Sequence, residues 1–260
     1  MLRRLFRRRR RFGADPTKDG APAAADNLEY NRFFWDWYSE RWEDEEWRNE
    51  FWAGLQLDRG RLEVLGDEWS EASHVQEIFD EFIAPFLSPE ARVAEVGPGG
   101  GRLARGVAPR VGELVLFDIS PQMLARCKKV LRDRTNVRYV LLEGLSFPED
   151  LAGRFDFVYA FDVYVHFDMH SLWRHLQGIE RLLRPGGRAL IHTANLTAPL
   201  GWERFASQER YSVEGHFPLT PEAVRTLVSH TGLRMVRESE PRPDNFYLNR
   251  DYLAVLERPA

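Results

Sequence analysis

The sequence predicts an α/β fold: a doubly wound, mostly parallel seven-stranded sheet with helices on both faces and a helical cap in front of it. Three observations carry this. From Ala91 onward, short apolar strand-like segments alternate with helix-like ones, and that alternation calls for crossover connections between parallel strands. A glycine-rich turn, Gly97-Pro-Gly-Gly-Gly101, follows the first strand and opens a helix, where open sheets bind their ligands. The region before Ala91 has helical spacing instead: in Ser73–Leu87, apolar Val75, Ile78, Phe79, Phe82 and Ile83 repeat at i, i+3, i+4.

In chain order, residues 1–26 read as a disordered basic arm. They combine an Arg run with Gly-Ala-Asp-Pro and Ala-Pro-Ala-Ala-Ala, too little apolar surface to offset the entropy of ordering. Residues 27–90 read as a helical cap or substrate lid. Six of the chain's eight tryptophans lie there, at 35, 37, 42, 47, 52 and 69, interleaved with acids such as Glu43-Asp-Glu-Glu46. Pro85 and Ser88-Pro89 end the cap. Residues 91–260 form the sheet domain, with strands expected at 92–96, 113–117, 137–142, 155–161, 188–193, 234–239 and 246–257. Helices are expected at 102–108, 121–132, 169–183 and 221–231, with Ser120 and Thr220 as N-caps and Arg184-Pro-Gly-Gly187 as a turn before the fifth strand.

Composition narrows the function. Hydrophobic residues make up 43% and charged ones 29%, ordinary for a globular protein. No apolar run approaches the roughly 20 residues of a membrane span, and no apolar stretch of a signal peptide follows the Arg cluster, so a cytoplasmic location is expected. One cysteine, Cys127, excludes an internal disulfide and a cysteine-based metal site. The net charge of −4 is uneven: residues 1–20 hold eight cations and two acids, which leaves 28 basic and 38 acidic residues for the body. Such a body repels nucleic acid, whereas the arm, with Leu2, Leu5 and Phe6, has the makings of a weak membrane-surface contact.

The chemistry sits at strand ends. Glu95 closes the first strand, and Gly97, Gly99 and Gly101 let a backbone turn tightly under a closely approaching ligand. A dinucleotide fingerprint G-x-G-x-x-G needs glycine at 102, where Arg102 stands; that leaves the dinucleotide as the lesser alternative. Asp118 ends the second strand, in Leu114-Val-Leu-Phe-Asp118, and its carboxylate can accept from both hydroxyls of a ribose.

Taken together, Glu95-Val-Gly-Pro-Gly-Gly-Gly101, Asp118 with Ser120-Pro-Gln-Met123-Leu124, Phe155-Asp-Phe-Val-Tyr-Ala-Phe-Asp-Val-Tyr-Val-His166 and Leu182-Leu-Arg-Pro-Gly-Gly187 resemble, in order and spacing, the class I S-adenosylmethionine-dependent methyltransferases. The resemblance covers roughly residues 91–258. It implies a Rossmann-like fold, S-adenosylmethionine as cofactor, and cofactor contacts from Glu95, Gly97, Gly99, Gly101, Asp118, Ile119, Met123 and Phe161. One departure concerns the adenine. Where the family usually has Gly-Asp-Ala after the third strand, this chain reads Leu142-Glu143-Gly144-Leu145, so Glu143 or the backbone of Gly144 and Leu145 would take that contact. A site with an acid and no lysine suits a sulfonium rather than a phosphate.

The resemblance places the acceptor over the ends of the fourth and fifth strands, with His166 and His192 as candidates for proton removal, a histidine being able to take a proton near neutrality, and Asp162 as a candidate to orient the acceptor hydroxyl. Asp162 alone is thin support for a metal, and none is expected. Trp35 and Tyr38 from the cap, and Trp202, Tyr211 and His216 from the segment after the fifth strand, are candidate substrate contacts. The expected reaction is methyl transfer to a hydroxyl of a small molecule, a sugar or glycan first; N-methylation of an amine or lipid headgroup, and a membrane-docked enzyme, are the alternatives.

Overall fold

In the computed structural model, the described residues are 27–42, 64–208 and 216–260. The basic arm, the acidic stretch with Trp47 and Trp52, and Tyr211 lie outside them. No helix among the described residues is long and apolar enough to cross a membrane.

The expected sheet is present. Seven strands, β1 (Arg92–Val96), β2 (Glu113–Asp118), β3 (Val137–Leu141), β4 (Phe155–Ala160), β5 (Leu183–Ala194), β6 (Arg234–Glu238) and β7 (Asp251–Glu257), lie in the order β3-β2-β1-β4-β5-β7-β6. β1 to β5 are mutually parallel, and β7 runs antiparallel between β5 and β6. The strand order reverses direction between β1 and β4, which opens a crevice above their carboxyl ends.

Period-two alternation builds a core on each face. Val115 and Phe117 of β2 join one core cluster, with Leu172, Leu176 and Ile179. Leu114 and Leu116 join the other, with Ile78, Phe82, Ala104 and Leu124. The helices are α1 (Asn27–Trp42), α2 (Ala72–Ile78), α3 (Ala104–Val107), α4 (Pro121–Val130), α5 (Met169–Leu182), α6 (Pro199–Ala206) and α7 (Pro221–Ser229). Ser120 caps α4 by accepting from Met123 N, Asp168 caps α5 by accepting from Ser171 N, and Thr220 caps α7 by accepting from Ala223 N.

Three boundaries differ from expectation, each for a local reason. The helix expected over 102–108 is only one α-turn long, because Pro109 draws its end into a tighter turn. Arg184-Pro-Gly-Gly187 does not precede β5 but bulges out within it: Leu183 pairs Phe155 and Arg188 pairs Phe157. Gly186 N and Gly187 O there bond Arg258 O and N, at 2.8 and 2.9 Å. The seventh strand begins at Asp251, not Phe246, since Asn245 Oδ1 accepts from the amides of Tyr247 and Leu248 and coils that stretch into turns. Those turns carry Tyr247 and Arg250 to the site.

Candidate active site

The glycine loop rises from β1 with Gly97, Gly99 and Gly101 all at positive φ, +66°, +54° and +93°, a region that L side chains rarely occupy. Gly97 N donates to Phe117 O at 2.7 Å, tying the loop to β2. A Cβ on Gly97 would lie 2.4 Å from Val163 Cγ2, whereas one on Gly99 would meet nothing within 4 Å. Gly97 is therefore a packing requirement, and Gly99 faces open space. Beneath it, the buried Cys127 thiol donates to Gly99 O at 3.1 Å.

That open space is a cavity in the sheet crevice, with about 840 Å³ of empty volume including its mouth. Its wall combines Glu95, Gly97, Gly99, Asp118, Ile119, Met123 and Phe161 with Asp162 and His166 from the end of β4. Glu95 and Asp118 are both buried. Burial raises Glu95 to about 8, opposed by the Tyr159 hydroxyl that donates to it at 2.7 Å and reinforced by Asp118. Asp118 is raised to about 7, again chiefly by burial, against the pull of backbone donors that include Ser120 N at 2.8 Å. Two carboxyls raised by burial toward neutrality are poised to ionise when a cation or a set of hydroxyl donors arrives.

The cap closes the cavity from above. Asn31 and Trp35 of α1, with Leu65 and Trp69, line it. α1 is fastened to the sheet domain by hydrogen bonds: Asn27 Nδ2 donates to His166 O at 3.0 Å, and Arg32 Nη2 to Leu142 O and Glu143 O at 3.2 and 2.8 Å. Trp35 meets the His166 ring edge-on at 5.2 Å. Arg102, the one guanidinium on the wall among the described residues, is committed to protein partners. It donates to Tyr247 Oη and Ser70 Oγ at 2.9 and 2.7 Å and sits 3.7 and 4.0 Å from Asp67 and Asp162. Among the described residues the wall thus offers two acids without a cationic partner, Glu95 and Asp118, and no free guanidinium, which suits a cationic ligand and disfavours a phosphate.

Behind the end of β4 lies a buried charge network. Asp162 adopts φ +57°, the one non-glycine residue with positive φ among those described. This turns its N–H toward His192 Nδ1, at 3.0 Å. Nδ1 is then an acceptor, which leaves Nε2 facing Asp251 Oδ2 at 3.0 Å. Arg250 Nε donates to both Asp251 oxygens at 2.9 and 2.8 Å, and Arg250 Nη2 lies 3.7 Å from Asp162. Tyr247 Oη donates to Asp162 at 2.9 Å. Asp251 is held below its ordinary range by Arg250 and by His192, despite its burial. Asp162, His192 and Asp251 bring donor atoms within 4.8 Å of one another, a composition able to bind a metal. Arg250 already supplies the positive charge for both carboxylates, and His192 Nδ1 is already accepting.

The structure sorts the sequence candidates. Glu95, Gly97, Gly99, Asp118, Ile119, Met123, Phe161, Asp162, His166 and Trp35 meet at one cavity. Gly101 shapes the turn instead, donating to Pro98 O at 2.9 Å. His192 is fully buried behind the wall, stacked on Phe161 at 4.5 Å, so it reaches the cavity only through Asp162. Tyr38 turns away: its hydroxyl donates to the buried Glu68 at 2.6 Å. Trp202 is 58% exposed on α6 beside Phe205, off the cavity wall. His216 lines a smaller neighbouring cleft with Arg204 and Arg250, its ring 5.8 Å from that of His166. Glu143, Gly144 and Leu145 are not on the wall, where Leu142 stands for that strand end. Tyr211 is outside the described residues. Sequence reasoning missed Asn31, Trp69, His175, Tyr247, Arg250 and Asp251. Only Arg250-Asp251, a charged pair opening an apolar strand, carried a signal.

Residues 93–187 match the protein family described as a methyltransferase domain. The chain carries a class I S-adenosylmethionine-dependent methyltransferase domain. Among solved structures, this domain and its cap resemble magnesium protoporphyrin IX methyltransferase of Synechocystis PCC 6803 with S-adenosylmethionine bound. The TM-score is 0.62 at 16% identity, covering 91% of this chain and 99% of that one. An N-methyltransferase of Bradyrhizobium japonicum WM9, solved with S-adenosylhomocysteine, superposes with a TM-score of 0.53 at 18% identity, covering 72% of this chain and 86% of that one. By sequence, the methyltransferase domain is 25% identical over 152 residues to the ubiquinone biosynthesis O-methyltransferase of Xanthomonas axonopodis pv. citri, which spans 55% of this chain and 62% of that one. It is 30% identical over 127 residues to the biotin biosynthesis bifunctional protein of Bordetella avium, 48% of this chain and 26% of that one. The chain therefore matches less than two thirds of the length of these curated relatives. Class I methyltransferases use S-adenosylmethionine, and the acids, open Gly99 and apolar wall of this domain fit that ligand.

Proposed function

We propose that this protein transfers the methyl group of S-adenosylmethionine to a hydroxyl of a small molecule, with a sugar or glycan as the acceptor class. One observation carries the reading: His166 and Asp162 share a cavity wall with the glycine loop and Asp118, so a proton acceptor and the cofactor loop face one space. When bound, S-adenosylmethionine supplies an electrophilic methyl group and leaves as S-adenosylhomocysteine. Asp118 accepts from the ribose hydroxyls, Glu95 offsets the positive charge, and Gly99 admits the ligand to the backbone. A His166 ring nitrogen would take the acceptor's hydroxyl proton as the methyl group is transferred to that oxygen.

Residues 27–90 act as the lid in this reading, with Trp35 and Trp69 excluding water and offering flat faces to the acceptor. The O-methyltransferases among the sequence relatives support oxygen as the target atom. The acidic body argues against a nucleic-acid partner, and the reading places the enzyme in the cytoplasm.

Radiolabelled methyl transfer to a panel of sugars, glycans, phenols and amines tests it. Sugar or glycan hydroxyls should be labelled, and His166→Ala should lower kcat by about 10²–10⁴ while leaving S-adenosylhomocysteine affinity within a few-fold of wild type. Labelling of amines alone, or a His166→Ala enzyme with unchanged kcat, would overturn the assignment.

A further inference from the structure

At its inner end the cavity reaches His175, on the second turn of α5. The side chain is buried at 1% exposure, and its ring is fixed by edge-on contacts with Phe147, Phe167 and Tyr164, at centroid distances of 5.1, 5.0 and 5.6 Å. Burial lowers its pKa to about 3, so the imidazole is neutral. Its Nδ1 lies 3.4 Å from the Tyr164 hydroxyl. That phenol is fully buried and, with its pKa pushed up by burial, keeps its proton. Either group can donate across this contact; donation by the phenol leaves fewer buried groups without a partner, and it puts the single imidazole proton on Nε2. Nε2 is itself buried and has no partner among the described residues, a state that costs free energy until an acceptor arrives.

The walls around this end are apolar: Phe117, Ile119, Leu142 and Phe167. They form the side of the cavity that continues from Asp118, where the ribose would sit. The end of β3 contributes no polar group there, because Arg32 of α1 holds the carbonyls of Leu142 and Glu143. A planar heterocycle with a ring acceptor is the ligand such a pocket fits.

We propose that His175 Nε2–H donates to a ring nitrogen of the cofactor's adenine, so that this histidine on α5, and not Glu143–Leu145, selects the purine. The proposal rests on the S-adenosylmethionine reading of the cavity.

Calorimetric titration of the full chain with S-adenosylhomocysteine and its 1-deaza, 3-deaza and 7-deaza analogues tests it. Wild type should bind one of the three analogues about tenfold more weakly than the parent, the loss of one buried hydrogen bond. His175→Leu should bind the parent about tenfold more weakly and bind all four ligands within about twofold of one another. His175→Gln, which keeps an N–H, should restore part of the affinity. Equal binding of all four ligands by wild type, or a wild-type pattern of preference in His175→Leu, would overturn the proposal. The wild-type series decides it even where His175→Leu does not fold. Failure of wild type to bind S-adenosylhomocysteine at all is a different outcome, and removes the cofactor reading itself.

Discussion

The two walls of the cavity solve opposite electrostatic problems. On the glycine-loop side, Glu95 and Asp118 are buried without a cationic partner and respond by holding protons, with values near 8 and 7. On the β4–β5 side, the buried Asp251 and the partly buried Asp162 keep Arg250 between them, and Asp251 sits below its ordinary range. The first wall leaves its charge to be completed by a ligand, and the second is complete in itself. A ligand that brings positive charge finds its unpaired acids on the first wall, and the β4–β5 wall has its charges paired without one.

The contrast can be broken most forcefully at Arg250. Arg250→Met leaves the buried Asp251 without its arginine, and should lower stability by about 3–5 kcal/mol, read as a large fall in Tm and in the denaturant midpoint. An unchanged midpoint would show that the second wall does not depend on its internal pairing.

Gly99→Leu addresses the first wall. Its side chain would enter the open space above the loop, so S-adenosylhomocysteine affinity should fall about 100-fold or more, roughly 2.7 kcal/mol. The apo protein should lose only about 1–2 kcal/mol, from the left-handed backbone. Unchanged affinity would place the ligand elsewhere.

The smallest effect is the dependence on pH. Because Glu95 and Asp118 are raised above their unfolded values, their contribution to apo stability is present below about pH 4 and is lost as pH climbs through 7 and 8. A cationic ligand favours the ionised forms, so its binding releases protons. S-adenosylmethionine affinity should rise about tenfold between pH 6 and 8, with a shallower rise for S-adenosylhomocysteine, which lacks the sulfonium. Calorimetry in buffers of different ionisation enthalpy measures the released protons, and a flat profile with no release would mean that the two acids are ionised beforehand.

The same division explains what could be read from residues alone. The first wall is local: Glu95, the glycines and Asp118 lie within one β–loop–α–β stretch, and their types and spacing carry the information. The alternation of apolar residues likewise fixed both faces of the sheet. The second wall is assembled from Asp162, His192 and the 247–251 turn, which approach one another only through strand order, and no spacing rule connects them. His192 and Asp162 were legible as strand-end polar residues, but not that Asp162 stands between His192 and the cavity. Tyr38 and Trp202 were chosen by residue type within the right segments. Their fates were decided by which way α1 and α6 turn when packed, and in α1 aromatic residues on all sides obscure any one face.

The position of β7 has a consequence for how this protein comes into being. β6 is synthesised before β7, yet the described sheet gives it no neighbour except β7, which must slide between it and β5. A growing chain can form β1 to β5, with the glycine loop already shaped, while β6 waits as an unpaired segment. The arrival of residues 247–257 then does two things in one step: it closes the sheet and delivers Tyr247, Arg250 and Asp251 to Asp162. The β4–β5 wall is therefore complete only when β7 has entered the sheet.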